Sequence, residues 1–180
     1  YLKAVTSLYN MEPSYSSAYA LYLMNMARDN ESEAEKYLEE AASSEDAPVA
    51  QKADYNLEYA GLALKNGSVS KAVSLANKVV SFAPEKAGQA YLVIARAWAA
   101  AKCGGDEINA VAHFWVAADY ASKAKAADPS LAEDANKLIS RYSVYYPTAA
   151  EAFMYDLTNG SSYTVNCSGM SATTTARFNK

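Results

Sequence analysis

Along residues 56–87, NLEYAGLALKNGSVSKAVSLANKVVSFAPEKA, apolar side chains return every three or four positions: Leu57, Ala60, Gly61 and Leu64, then Ala72, Leu75 and Val79. That period is the one an amphipathic helix needs to keep one face toward a core. Asn66-Gly67 interrupts the pattern and Pro84 stops it, so the stretch predicts two antiparallel helices joined by a tight turn. Small residues at Ala60, Gly61, Ala72 and Ala76 predict close packing between the two, and Ser68 or Ser70 is placed to cap the second.

The same layout recurs on both sides. SAYALYLMNMARDN and ESEAEKYLEEAASS form an earlier pair, within residues 14–47. AGQAYLVIARAWAAAK, a break at Cys103-Gly104-Gly105, and DEINAVAHFWVAADYASKAKAADP form a later one, within residues 87–131. Residues 1–13 read as the remnant of a still earlier second helix closed by Pro13, and residues 132–147 as a capping helix that stops at Pro147.

Repetition at this period resembles the tetratricopeptide repeat family, in which two antiparallel helices of about 34 residues end at a Pro. The likeness is carried by Tyr59, Ala60, Gly67, Ala72 and Pro84, again by Ala117, Ala121, Ala124 and Pro129, and again by Ala135, Leu138 and Tyr142. It covers roughly residues 1–146. The third copy departs from it, being too long by about three helical turns through EINAVAHFWVA. The resemblance implies a mainly α fold, an α-solenoid of stacked helix pairs that needs a cap at its end.

The tail changes character. Thr148 and Glu151 have capping-box spacing, so 148–155 predicts one short helix. Beyond the Asn159-Gly160 turn, Tyr163, Val165 and Cys167 alternate with Thr164 and Asn166. Met170, Ala172, Thr174, Ala176 and Phe178 alternate in the same way with Ser171, Thr173, Thr175 and Arg177. Ser168-Gly169 between the two runs suits a tight turn, so residues 148–180 are expected to be a helix and a β-hairpin whose apolar face caps the last helices. An uncovered hairpin edge at TTTAR would be adhesive, and it offers a route to a partner strand or to self-association. Repeats joined to AFMYDLTNGSSYTVNCSGMSATTTAR also resemble the C-terminal part of secreted repeat proteins of Bacteroidetes, a likeness that implies an extracytoplasmic location, in the periplasm or cell envelope.

Composition narrows the function. The chain has 180 residues, a net charge of −4 and scattered basic residues, which disfavours nucleic acid as a partner. Apolar runs such as AWAAA at 97–101 are far too short to enter a bilayer as a span. The chain starts at Tyr1 within a helical pattern and without Met, as expected of a piece of a longer protein. Cys103 and Cys167 lie far apart and outside any CxxC motif; two independent small residues is the favoured reading, and a single bridge is the alternative.

Catalytic chemistry finds little support. His113 is the only histidine and stands beside Phe114 and Trp115, where packing is the ordinary role of such a residue. No HExxH, GxSxG, P-loop or GxGxxG motif occurs, and the acidic run at 29–40 lacks the Gly and the ordered oxygens of a calcium loop. No catalytic residue, cofactor or metal is expected. Fifteen tyrosines, many at helical spacing, serve either to fill helix joints or to make binding surfaces. In the register of the repeat family, Met24, Arg28, Leu57, Lys65, Tyr91, Trp98 and Asn136 would face the concave groove. Tyr91 and Trp98, two turns apart, are the leading candidates for a peptide contact. The basic clamp of some family members is missing, since Ala20 and Met24 hold its first positions. The expected function is a non-catalytic scaffold that binds a protein or peptide, with a structural end-cap or self-association module as the alternative.

Overall fold

A computed structural model of the chain describes residues 2–180. Among them, nine α-helices precede one two-stranded antiparallel sheet. The helices are α1 (Leu2–Met11), α2 (Tyr15–Met26), α3 (Glu31–Ser43), α4 (Val49–Lys65), α5 (Val69–Phe82), α6 (Ala87–Ala100), α7 (Glu107–Ala127), α8 (Ala132–Ser143) and α9 (Ala149–Phe153); the strands are β1 (Ser162–Cys167) and β2 (Met170–Thr175). No described helix is long and apolar enough to cross a membrane.

Neighbouring helices run antiparallel. Lys65 at the end of α4 reaches Glu31 at the start of α3, while Lys52 near the start of α4 reaches Glu45 just past the end of α3. His113 near the start of α7 meets the Trp98 carbonyl near the end of α6, and Gly88 at the start of α6 lies against Ala124 and Asp128 at the end of α7. Side chains also reach between alternate helices. Tyr19 and Tyr22 of α2 bond Glu58 of α4, and Lys71 at the start of α5 bonds Glu35 at the start of α3. Helix packing buries a run of small residues: Ala34, Ala41, Ala60, Ala72, Ala76, Ala90, Ala95, Ala117, Ala121 and Ala124 are all buried, joined by Leu21, Leu38, Val79 and Ile94. Alanine at the contacts lets the helix axes approach closely.

Local signals account for the helix ends. Ser14 caps α2 and Thr148 caps α9, each in a capping box, and Asp106 accepts from the Asn109 amide at the start of the lengthened α7. Gly67 takes a left-handed conformation, φ 77°, in the α4–α5 turn, where a side chain would be strained. Two local expectations need correction. Ser68 holds the N-cap position of α5 but makes no side-chain capping bond. Gly61 faces solvent and a Cβ there would meet nothing within 4 Å, so it does not help α4 and α5 approach; Ala60, Ala72 and Ala76 are buried instead.

The hairpin follows the predicted register, with Cys167 opposite Met170 and Ser162 opposite Thr175. Ser168 (φ 52°) and Gly169 (φ 73°) both take positive φ, the signature of the turn whose twist matches a two-residue hairpin. The apolar face is buried at Val165, Thr174 and Ala176 and lies along α7. The favoured reading of the cysteines is overturned: Cys103, in the α6–α7 connection, and Cys167, at the end of β1, form a disulfide with Cα atoms 4.8 Å apart. Tertiary packing brings them together, because the hairpin folds back 64 residues along the chain onto that connection.

Candidate functional site

The hairpin is fastened at its two ends, to the α6–α7 connection and to α7. At the turn, the disulfide is joined by Ser168, whose hydroxyl bonds the Lys102 amide and carbonyl, both at 3.3 Å. At the far end, Trp115 and Arg177 exchange hydrogen bonds, and the guanidinium also pairs with Asp119, which accepts from Thr174 as well. Trp115 is fully buried, with Tyr163 edge-on at 5.6 Å and Phe178 at 6.5 Å. This anchorage leaves the outer side of β2 standing over α7.

Two depressions meet there. One, of about 520 Å³, lies between α5 and α7 with Trp98 and Val73 at its base and Met170 at its end. The other, of about 630 Å³, runs between α7 and β2 past Val116, Lys123 and Ala172. Tyr120 and Ser171 line both, so the two form one trough. The Tyr120 ring is 6.0 Å from the Tyr91 ring, and the Lys123 ammonium sits 4.6 Å from the centre of Tyr120 and 6.0 Å from that of Tyr91. Aromatic faces with a cation above them offer both apolar area and charge.

A larger cavity, about 780 Å³, opens between α3, α4 and α5. Of its charged lining residues, Lys52 and Glu45 pair with each other and Lys71 pairs with the neighbouring Glu35. Lys71 bonds Glu35 at 2.7 Å and lies 4.3 Å over the Tyr59 ring. Burial works against the Lys71 charge, but its bonds to Glu35 and Tyr59 outweigh that and push it up to about 12, while the Lys71 bond holds Glu35 below the usual carboxylate value.

The predicted groove residues are not gathered in one place. Trp98 lines the α5–α7 trough but is only 2% exposed and forms its base, whereas Tyr91 does not line it and reaches it only through the Tyr120 ring, 6.0 Å away. Leu57 is half-buried against the core. Met24 is half-buried and Arg28 exposed at the far end of α2. Lys65 pairs with Glu31 at 3.2 Å, and Asn136 on α8 accepts from Lys125 at 2.8 Å. Sequence reasoning missed Tyr120, Lys123 and Met170. Tyr120 and Lys123 stand three residues apart on α7, a spacing that marks one face, but nothing in the sequence sets that face opposite Tyr91.

His113 is buried, and its Nδ1–H donates to the Trp98 carbonyl at 2.8 Å, with Phe114 at 4.1 Å from its ring. Among the described residues no group of three or more His, Cys, Asp or Glu side chains is arranged to hold a metal ion. No family model, curated protein or solved structure matches this chain.

Proposed function

We propose that the chain is a segment of a tetratricopeptide-type α-solenoid and that it binds a protein or peptide without chemical catalysis. The observation that carries this reading is the trough beside α7, lined by a buried Trp98, by Tyr120 and by Lys123, with the Tyr91 ring 6.0 Å from Tyr120. Rigid aromatics lose little conformational freedom on binding and concentrate affinity in small patches. The α5–α7 trough is favoured over the first-helix groove expected from the family register, because it is lined by Trp98 and Tyr120, and the Tyr120 ring is the one that Tyr91 approaches. A location outside the cytoplasm is part of the proposal, supported by the Cys103–Cys167 bridge, since such bonds persist in oxidising compartments.

The test is a binding screen of the chain against an immobilised array of ten-residue peptides, with a Tyr91→Ala/Tyr120→Ala variant in parallel. Trp98 is left intact because it is buried. Peptides that bind the parent and lose at least tenfold in affinity with the variant support the reading. Binding unaffected by the variant, or no binding by any peptide, sinks it. A structural end-cap is the second reading, supported by the anchorage of the hairpin on α7. It expects no bound peptide and loss of helix stability on removal of 161–180.

A further inference from the structure

The edge of β2 borders the trough, and its backbone geometry says what kind of segment could lie there. In a hairpin closed by a two-residue turn, the residues flanking the turn form a hydrogen-bonded pair, and such pairs alternate with non-bonded ones. The register then makes Cys167–Met170, Val165–Ala172 and Tyr163–Thr174 the bonded pairs, and the bond from the Ala176 amide to the Ser161 carbonyl continues the series. Asn166–Ser171 and Thr164–Thr173 are therefore non-bonded pairs, whose N–H and C=O groups point away from the partner strand. On β2 those groups belong to Ser171 and Thr173, both exposed, and the sheet has no third strand among the described residues. Ser171 and Thr173 also line the depression over α7.

The charge beside this edge has one sign. Lys78 lines the depression on the α5 side and Lys123 the one on the β2 side; neither forms an ion pair among the described residues. Asp119, the acidic residue lining the β2 side, is taken up by Arg177. The trough is thus locally cationic in a chain of net charge −4.

We infer that the trough takes an extended acidic peptide segment that adds to β2 as a third strand. Its backbone pairs with the outward groups of Ser171 and Thr173. One face of it lies over Tyr120, and a carboxylate on it meets Lys123 or Lys78. Backbone pairing supplies affinity in such strand addition, and the side chains facing the pocket supply selectivity. This inference rests on the peptide-binding reading above and specifies the conformation and charge of the ligand.

The experiment uses the whole chain and two synthetic ten-residue probes with alternating Thr and Val, one carrying Glu and the other Lys at the remaining positions, with a helix-forming Ala/Glu peptide as a third. Affinity is measured by fluorescence anisotropy, and amide exchange at Ser171 and Thr173 is followed by NMR. The variants are Thr173→Pro, which removes one outward N–H without touching a ladder bond, Thr164→Pro as its counterpart on the β1 edge, and Lys123→Glu. The expected result is selective binding of the acidic extended probe, with slowed exchange at Ser171 and Thr173. Thr173→Pro should then weaken binding at least tenfold, Lys123→Glu several-fold, and Thr164→Pro not at all. Equal binding of the Lys probe, preference for the helical peptide, or binding that leaves Ser171 and Thr173 exchanging freely overturns strand addition while leaving the peptide-binding reading in place. Failure of every probe here, with hits on the peptide array, overturns the inference alone; failure of both overturns both. Concentration-dependent dimerisation abolished by Thr173→Pro would assign the edge to a second copy instead.

Discussion

Trp115 and Arg177 hold each other by reciprocal bonds across 62 residues of chain: the indole Nε1–H donates to the Arg177 carbonyl at 2.8 Å, and the guanidinium donates to the Trp115 carbonyl at 2.9 Å. A carbonyl inside a helix already accepts from the next turn, so the second bond uses its remaining lone pair and leaves α7 intact. The tail is thereby fixed to the long helix at its middle, well away from the disulfide at the hairpin turn.

Replacing Arg177 by Ala removes the bond to the Trp115 carbonyl and leaves Asp119 without its cation. The expected loss is about 1.5–3 kcal/mol, the range for hydrogen bonds to charged groups. Exchange should speed up at 174–179 before it does in α2–α5. Uniform destabilisation of all helices, or none at all, would contradict the anchorage.

Reduction of Cys103–Cys167 releases a closed loop spanning a separation of 64 residues. Disulfides typically contribute about 2–4 kcal/mol to stability. The unfolding free energy from denaturant titration should fall by that amount in Cys103→Ser/Cys167→Ser, lowering the midpoint, while far-ultraviolet helix content stays the same. An unchanged midpoint would show that the bridge adds nothing to the packing already present.

Two glycines should respond oppositely to alanine. A Cβ on Gly88 would come 2.7 Å from the Asp128 Cβ and 3.1 Å from Leu131 Cδ1, so Gly88→Ala forces α6 and the end of α7 apart, at about 1–3 kcal/mol. A Cβ on Gly61 meets nothing within 4 Å, and alanine is the better helix former there, so Gly61→Ala should stabilise by roughly 0.5–1 kcal/mol. Thermal melts of both variants decide the matter. The same sign for both would reject the packing described.

Stability should fall in mild acid through His113. Burial depresses its affinity for a proton below the ordinary value of 6.5, more than its backbone hydrogen bonds restore. The unfolded chain then binds the proton more readily than the folded one, so this contribution is complete above about 6.5 and is lost as pH falls below it. Glu35 and Glu151, both held below their ordinary 4.5, act only at still lower pH. Denaturant midpoints measured from pH 7.5 to 5 should decline, and His113→Gln should flatten that decline. A midpoint independent of pH in this window would place the imidazole in a more polar setting than the Trp98 carbonyl and Phe114 provide.

The helices and the hairpin were legible in the sequence because their causes are local. Apolar period, Pro84, Pro129 and Pro147, the Thr148–Glu151 capping box and the Ser168-Gly169 turn each act within a few residues. Alternation also foretold which face of the hairpin is buried, since a register slip would put Val165 and Ala176 in water. The trough was only half legible. Tyr91 and Trp98 share a helix face whatever surrounds them, but whether that face meets solvent or a neighbour depends on where α5, α7 and β2 come to rest. The same holds for Cys103 with Cys167, Trp115 with Arg177, and Tyr120 with Tyr91. Each joins residues from separate elements, and only the sum of packing over the whole core decides those distances.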